Sequence, residues 1–115
     1  MNVQPNIELI ISSAAVGLTD ISNFEIGIKI TSRSRENLPV DLSRLTLRVN
    51  SVRSVAWDLA MQNGTLINLR LASGQTETLQ WKMGEALFES AGTYELDLFN
   101  EEKLVAKHEI TITKI

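Results

Sequence analysis

The chain has no cysteine, a single histidine and only two prolines in 115 residues. Without cysteine there is neither a disulfide framework nor a thiolate metal site. With His108 alone, a histidine metal centre would need carboxylates to complete its shell, and a nucleophilic dyad has one imidazole to draw on. No serine stands in a glycine-flanked elbow, and Gly74, Gly84 and Gly92 are single and spaced as turns rather than gathered into a phosphate-cradling loop. Long hydrophobic runs are also missing: Leu9-Ile10-Ile11 is far short of a signal-peptide core or a membrane span. The net charge of −3 lacks the positive excess of a broad nucleic-acid surface. These absences lead to a reading without catalytic, cofactor or metal residues, without nucleic-acid or membrane partners, and with cytoplasmic residence as the default.

What is present is alternation. With 43% apolar and 22% charged residues, the composition is that of a globular domain, and 115 residues suffice for one core, so residues 1–115 are read as a single domain. Ile7, Leu9 and Ile11 fall on one face of a first strand, Ile26, Ile28 and Ile30 alternate with Glu25, Gly27, Lys29 and Thr31, and Leu45, Leu47 and Val49 alternate with Thr46 and Arg48. Leu69 and Leu71 follow Ile67, Glu77 shares a face with Leu79 and Trp81, and Tyr94, Leu96 and Leu98 precede a final run through Ala106, His108, Ile110 and Ile112. A period of two sends successive side chains to opposite faces of a sheet. Turn signals at Asn50-Ser51, Asn63-Gly64, Ser73-Gly74, Gly92 and Asn100–Lys103 separate the runs, and Pro39 marks a strand edge or entrance because it cannot donate to a ladder. Gly84–Ser90 is too short for more than one helical turn. The pattern predicts an all-β, immunoglobulin-like antiparallel β-sandwich of about seven to nine strands. Its core comprises Ile7, Leu9, Ile26, Ile28, Ile30, Leu47, Leu69, Leu71, Leu79, Trp81, Tyr94, Leu96, Leu98, Ile110 and Ile112.

Few residues carry chemistry. Glu95 and Asp97 lie two apart on one outward face, the spacing of solvating charges, and Glu101-Glu102 has no loop of spaced acidic ligands around it. Lys29, Arg33, Arg35, Arg44, Arg48 and Arg53 crowd the first half, mostly as solvated faces with a basic docking patch as the alternative. Asn63-Gly64-Thr65 matches a glycosylation acceptor but serves equally as a hairpin turn. Val55 to Met61, read as a strand with Val55, Trp57 and Leu59 on one face, is apolar on both faces; it is either doubly covered or an apolar patch for a partner. On the second alternative Trp57 faces a partner and Trp81 the core, so Trp81→Ala is expected to cost far more stability than Trp57→Ala.

Leu47, Val49, Val55 and Trp57, then Leu71, Gly74 and Gln75, then Leu79 and Trp81, and finally Gly92, Thr93 and Tyr94 resemble, over about half the chain, the turn-and-strand pattern of the bacterial intracellular proteinase inhibitor family, called BsuPI-like. More loosely the chain is similar to bacterial immunoglobulin-like accessory domains. It departs from the inhibitor pattern in lacking proline before Gly74 and Gly92. The resemblance implies a non-enzymatic, protein-binding module whose partner is a serine proteinase, engaged by a stiff extended loop or by a strand edge. Within Ser13 to Asp20, Val16, Gly17 and Leu18 are the candidate loop contacts, with Val55 and Trp57 as the candidate patch. The alternative is a structural or accessory domain, or an oligomerisation unit, without a transient partner.

Overall fold

Alternating burial organises the strands into two facing sheets. The structure, a computed structural model, describes residues 6–32, 38–63, 68–71 and 74–114. β1 (Asn6–Ile11), β3 (Glu25–Thr31) and β8 (Thr76–Lys82) form a three-stranded antiparallel sheet in that order. The facing five-stranded sheet runs β2 (Ala15–Gly17), β10 (Lys103–Thr113), β9 (Gly92–Asn100), β5 (Leu45–Val49) and β6 (Val52–Arg53). A separate antiparallel pair joins β4 (Leu38–Asp41) to β7 (Asn68–Leu71), so Pro39 does lie in an edge strand. The chain changes between the two sheets from β1 to β2, β2 to β3, β3 to β5, β6 to β8 and β8 to β9, a crossing connectivity that fits an immunoglobulin-like sandwich.

Ten strands are present among the described residues, and the sandwich is not wholly antiparallel. β2 pairs parallel with β10, Ala15 to Gly17 opposite Thr111 to Thr113. After β1 the chain crosses to the other sheet without reversing, so it meets the last strand running the same way. β10 also carries a bulge between Leu104 and Ala106, which resets its phase against β9.

The core follows the alternation. Ile7, Leu9, Ile26, Ile28, Ile30, Leu47, Leu96, Leu98, Ile110 and Ile112 are buried as expected, while Leu79, Trp81 and Tyr94 are half-buried at its margin. The side chains of Leu69 and Leu71 lie outside the described set, as do Ile67 and Gly64. Buried residues beyond the expected set include Phe24, Leu42, Leu45, Met61 and Phe88. Phe88 meets Phe24 edge-on at 5.4 Å and Tyr94 at 4.9 Å, forming an aromatic cluster below the single helical turn α2 (Gly84–Leu87). The Tyr94 hydroxyl donates to the Ser90 carbonyl at 2.8 Å, the corner that pins the start of this strand in immunoglobulin-like sandwiches. Asn50 and Ser51 both adopt positive φ, 51° and 69°, the two-residue turn that joins β5 to β6. Gly27 in the central strand is required by close approach, because an added Cβ would run into the Leu79 carbonyl oxygen.

The largest departure is α1 (Val55–Asn63), a helix where alternation suggested a strand. Val55, Trp57, Leu59 and Met61 do alternate, but Trp57 and Met61 are also four apart, and on a helix that places both on one face. Three local features select the helix. Ser54 accepts the Trp57 N–H on its hydroxyl at 3.2 Å, the geometry of an N-cap. Asp58 sits in the first turn, and Ala56 and Ala60 are strong helix formers. Asn63 therefore ends a helix instead of opening a hairpin.

Trp57 is consequently not a surface residue. It is 0% exposed, its indole N–H donates to the Leu45 carbonyl at 3.2 Å, and its ring meets Trp81 edge-on at 5.7 Å. It thus touches β5 of one sheet and β8 of the other. The order expected for the two tryptophans is reversed: Trp57→Ala should destabilise by about 3–5 kcal/mol, the usual loss on emptying a buried aromatic site, and Trp81→Ala should cost less. Denaturant melts of the two variants check this, and an equal or larger loss at Trp81 would contradict it.

Candidate binding surface

Turning Trp57 inward fixes what the rest of α1 shows to solvent. On a nine-residue helix with Trp57 and Met61 buried, Val55 and Leu59 fall one turn apart on the outer side. They are 68% and 52% exposed, and Val52 in the neighbouring edge strand is 68% exposed. A groove of about 450 Å³ opens beside Val52 and Val55, with Val49, Val52 and Val55 contributed by β5, β6 and α1, and Ala86, Leu87 and Tyr94 by α2 and β9. Asn50, at its wall, is tied to β9 twice: its N–H donates to the Glu95 carbonyl at 2.8 Å, and the Glu95 N–H donates to its side-chain oxygen at 2.9 Å. Arg53 stands at the rim and donates from Nε to the Asp58 carboxylate at 2.7 Å. That hydrogen bond, and then the attraction of the Asp58 charge, hold the guanidinium above its ordinary pKa range.

The other sequence candidates do not converge on this surface. Val16 and Leu18 pack against the core, and Gly17 is held opposite Thr113 by the β2–β10 pairing. Residues 18–23 then form a 3-10 helix, so the stretch expected as an open loop is largely structured. Of the proposed partner contacts, Val55 is the one that the structure presents openly to solvent; Trp57 is removed by its burial.

The basic span does not form one patch. Lys29 faces Glu8 at 4.0 Å on the three-stranded sheet, whereas Arg44, just before β5, pairs at 3.1 Å with Glu101 in the turn between β9 and β10. Arg48 lies 4.6 Å above the Phe99 ring, and Arg33 and Arg35 fall outside the described residues. Glu95 pairs with Lys107, whose pKa is raised by that hydrogen bond, by the Glu95 charge, and by Asp97 beyond it. His108 meets the Leu9 carbonyl through Nε2 at 2.6 Å, a contact between the two sheets that makes its role structural. Among the described residues no group of three or more His, Asp or Glu could hold a metal ion. No helix among them is long and apolar enough to cross a membrane.

No family model and no curated protein matches the chain. Solved structures do. The CARDB domain of a Pyrococcus furiosus protein, determined in complex with di-metal ions, superposes with a TM-score of 0.60 at 10% identity, covering 96% of this chain and 93% of that domain. A β-glucosidase from Listeria innocua in complex with glucose gives a TM-score of 0.58 at 11% identity over 95% of this chain, which spans only 16% of that enzyme. A β-glucosidase from Erythrobacter marinus gives 0.57 at 10% identity, again over 16% of the enzyme. Likeness at this level of identity establishes a shared fold, the immunoglobulin-like β-sandwich, and nothing of substrate or partner. The inhibitor family itself finds no match.

The N-cap of α1 supports the whole apolar surface, because it holds the helix against the sandwich. Ser54→Ala should lower stability by about 1 kcal/mol. Ser54→Asp, which keeps an acceptor at the cap, should recover most of that loss in the same thermal melt. A loss that both variants share would show that the hydroxyl does not cap the helix.

Proposed function

We propose that this chain is a non-enzymatic module that binds a protein partner through the apolar surface of α1. The observation that carries this reading is the exposure of Val52 and Val55, which line the groove, and of Leu59 one helical turn beyond Val55. They are three of the four large apolar side chains left exposed among the described residues. Scattered exposed apolar residues are ordinary, but a cluster flanking a concavity is the usual form of a protein contact. Tyr94 and Arg53 at the groove are residue types favoured as binding anchors. A partner that inserts one apolar side chain between β6 and α2 would cover Val52 and Val55 together.

Inhibition of a serine proteinase is the narrower form of this reading that the sequence resemblance implies. An inhibitory loop must be extended and accessible to fit a proteinase cleft. The paired and helical character of residues 15–23 leaves the β5–β6 turn and the groove rim as the better presented segment. Assay against subtilisin-type proteinases tests this form, and an absence of inhibition at micromolar protein removes it while leaving the wider reading standing.

The wider reading is tested by Val55→Asp combined with Leu59→Asp, both on the solvent side of α1. The melting behaviour should stay close to that of the unsubstituted chain. A protein enriched from cell extract by the unsubstituted chain should, once purified, bind the double variant at least tenfold more weakly, the effect of losing about 1.4 kcal/mol of contact. Equal affinity for the two forms would overturn the assignment of this surface.

A further inference from the structure

The two sheets end differently at their edges, and the phase of the hydrogen-bond ladder shows how. The Ser32 N–H donates to the Gln75 carbonyl at 2.9 Å, one step beyond the Thr31–Thr76 pair. Hydrogen-bonded and non-hydrogen-bonded pairs alternate along an antiparallel ladder. Glu77, Leu79 and Trp81 therefore direct their main-chain groups to β3, while Thr76, Thr78, Gln80 and Lys82 direct theirs away from it. The same reasoning from Ser12 N–H to Glu25 carbonyl, at 3.0 Å, sends the main-chain groups of Ile7, Leu9 and Ile11 to the outer side of β1.

The edge at β1 is capped. His108 reaches across from β10 and meets the outward Leu9 carbonyl at 2.6 Å. In the five-stranded sheet the edges are β2 and β6, three and two residues long, too short to template a new strand. β8 has seven residues in unbroken register with β3, and no strand among the described residues pairs with its outer side. Proline and bulges, two of the devices that ordinarily blunt an edge, are absent from it, and its charged residues, Glu77 and Lys82, stand near opposite ends of the strand. Leu79 and Trp81 on its inner face remain half-buried where the edge opens.

We propose that β8 is a strand-addition edge whose occupant is β8 of a second copy of this chain, antiparallel about a two-fold axis at Leu79. That register pairs every outward main-chain group: Thr76 with Lys82 and Thr78 with Gln80, each twice by symmetry. An axis at Thr78 or at Gln80 would leave Lys82 or Thr76 without a partner. The side chains are compatible with the same axis. Leu79 meets Leu79 of the other copy on the inner face, Glu77 faces Trp81, and Lys82 faces Thr76, so no like charges oppose each other. The contact is isologous and closes on itself, which ends assembly at a dimer. It joins the two three-stranded sheets into one continuous sheet and covers the exposed flank of Leu79. The proposal stands independently of the α1 surface.

The absence of cysteine from the chain supplies a direct test. In the proposed register the two Leu79 residues form a non-hydrogen-bonded pair, with Cα atoms about 4.5 Å apart, within disulfide reach. Leu79→Cys should give a covalent dimer under mild oxidation, whereas Thr76→Cys, which faces Lys82, should not. Thr78→Pro removes an outward N–H and leaves the ladder to β3 intact. It should weaken the dimer at least tenfold in sedimentation, with an unchanged far-UV spectrum. If Thr78→Pro fails to fold, the cysteine pair still decides. A wild-type chain that stays monomeric from micromolar to millimolar concentration would overturn the proposal, as would equal cross-linking at positions 76 and 79.

Discussion

The structure depends on closing the side of the sandwich where β5 and β8 lie, and one residue does most of it. Trp57 enters from α1, gives its indole N–H to Leu45 in the five-stranded sheet and packs edge-on against Trp81 in the three-stranded sheet. A buried indole needs a partner for its N–H, and the Leu45 carbonyl supplies one without opening the core to water. At the other side the chain closes differently, with His108 of β10 reaching the Leu9 carbonyl of β1. One flank is sealed by an apolar plug and the other by a polar clasp.

That asymmetry decides which surfaces remain for partners. Where the clasp sits, the outward Leu9 carbonyl of β1 is engaged. Where the plug sits, the helix that delivers it must turn its opposite side outward, and Val55 and Leu59 lie there. β8 lies under the plug through Trp81, yet no strand among the described residues pairs with its outer side. The α1 surface is the back of the plug, and β8 is the strand that meets the plug through Trp81.

Much of this architecture is legible in the sequence because β1, β3, β5, β8 and β9 each bury one face and wet the other. Ile26, Ile28 and Ile30 could hardly be arranged otherwise. α1 is ambiguous in the sequence for a specific reason: Val55-Ala56-Trp57-Asp58-Leu59-Ala60-Met61 satisfies a period of two and a spacing of four at once. The arbiter was Ser54, a capping residue that alternation ignores. β2 is not legible in the sequence because three residues carry no period, and its partner β10 lies nearly a hundred positions away, with Val16 opposite Ile112. The candidate surface was half legible. Val55 is exposed as one alternative required, while Trp57 is buried because the helix rotates it away from Val55 by about 200°, at 3.6 residues per turn.

An immunoglobulin-like sandwich offers binding surfaces on loops, edges and faces, and its fold does not choose among them. Here the choice is made by Trp57, so the most direct test of the account is whether that indole is sealed. Hydrogen exchange at the two tryptophan indole N–H groups, followed by NMR, measures this. The account predicts that the Trp57 N–H exchanges only with opening on the scale of global unfolding, while the Trp81 N–H at the sandwich margin exchanges much faster. A Trp57 N–H that exchanges as fast as that of Trp81 would contradict the account, because the helix would then not close the sandwich.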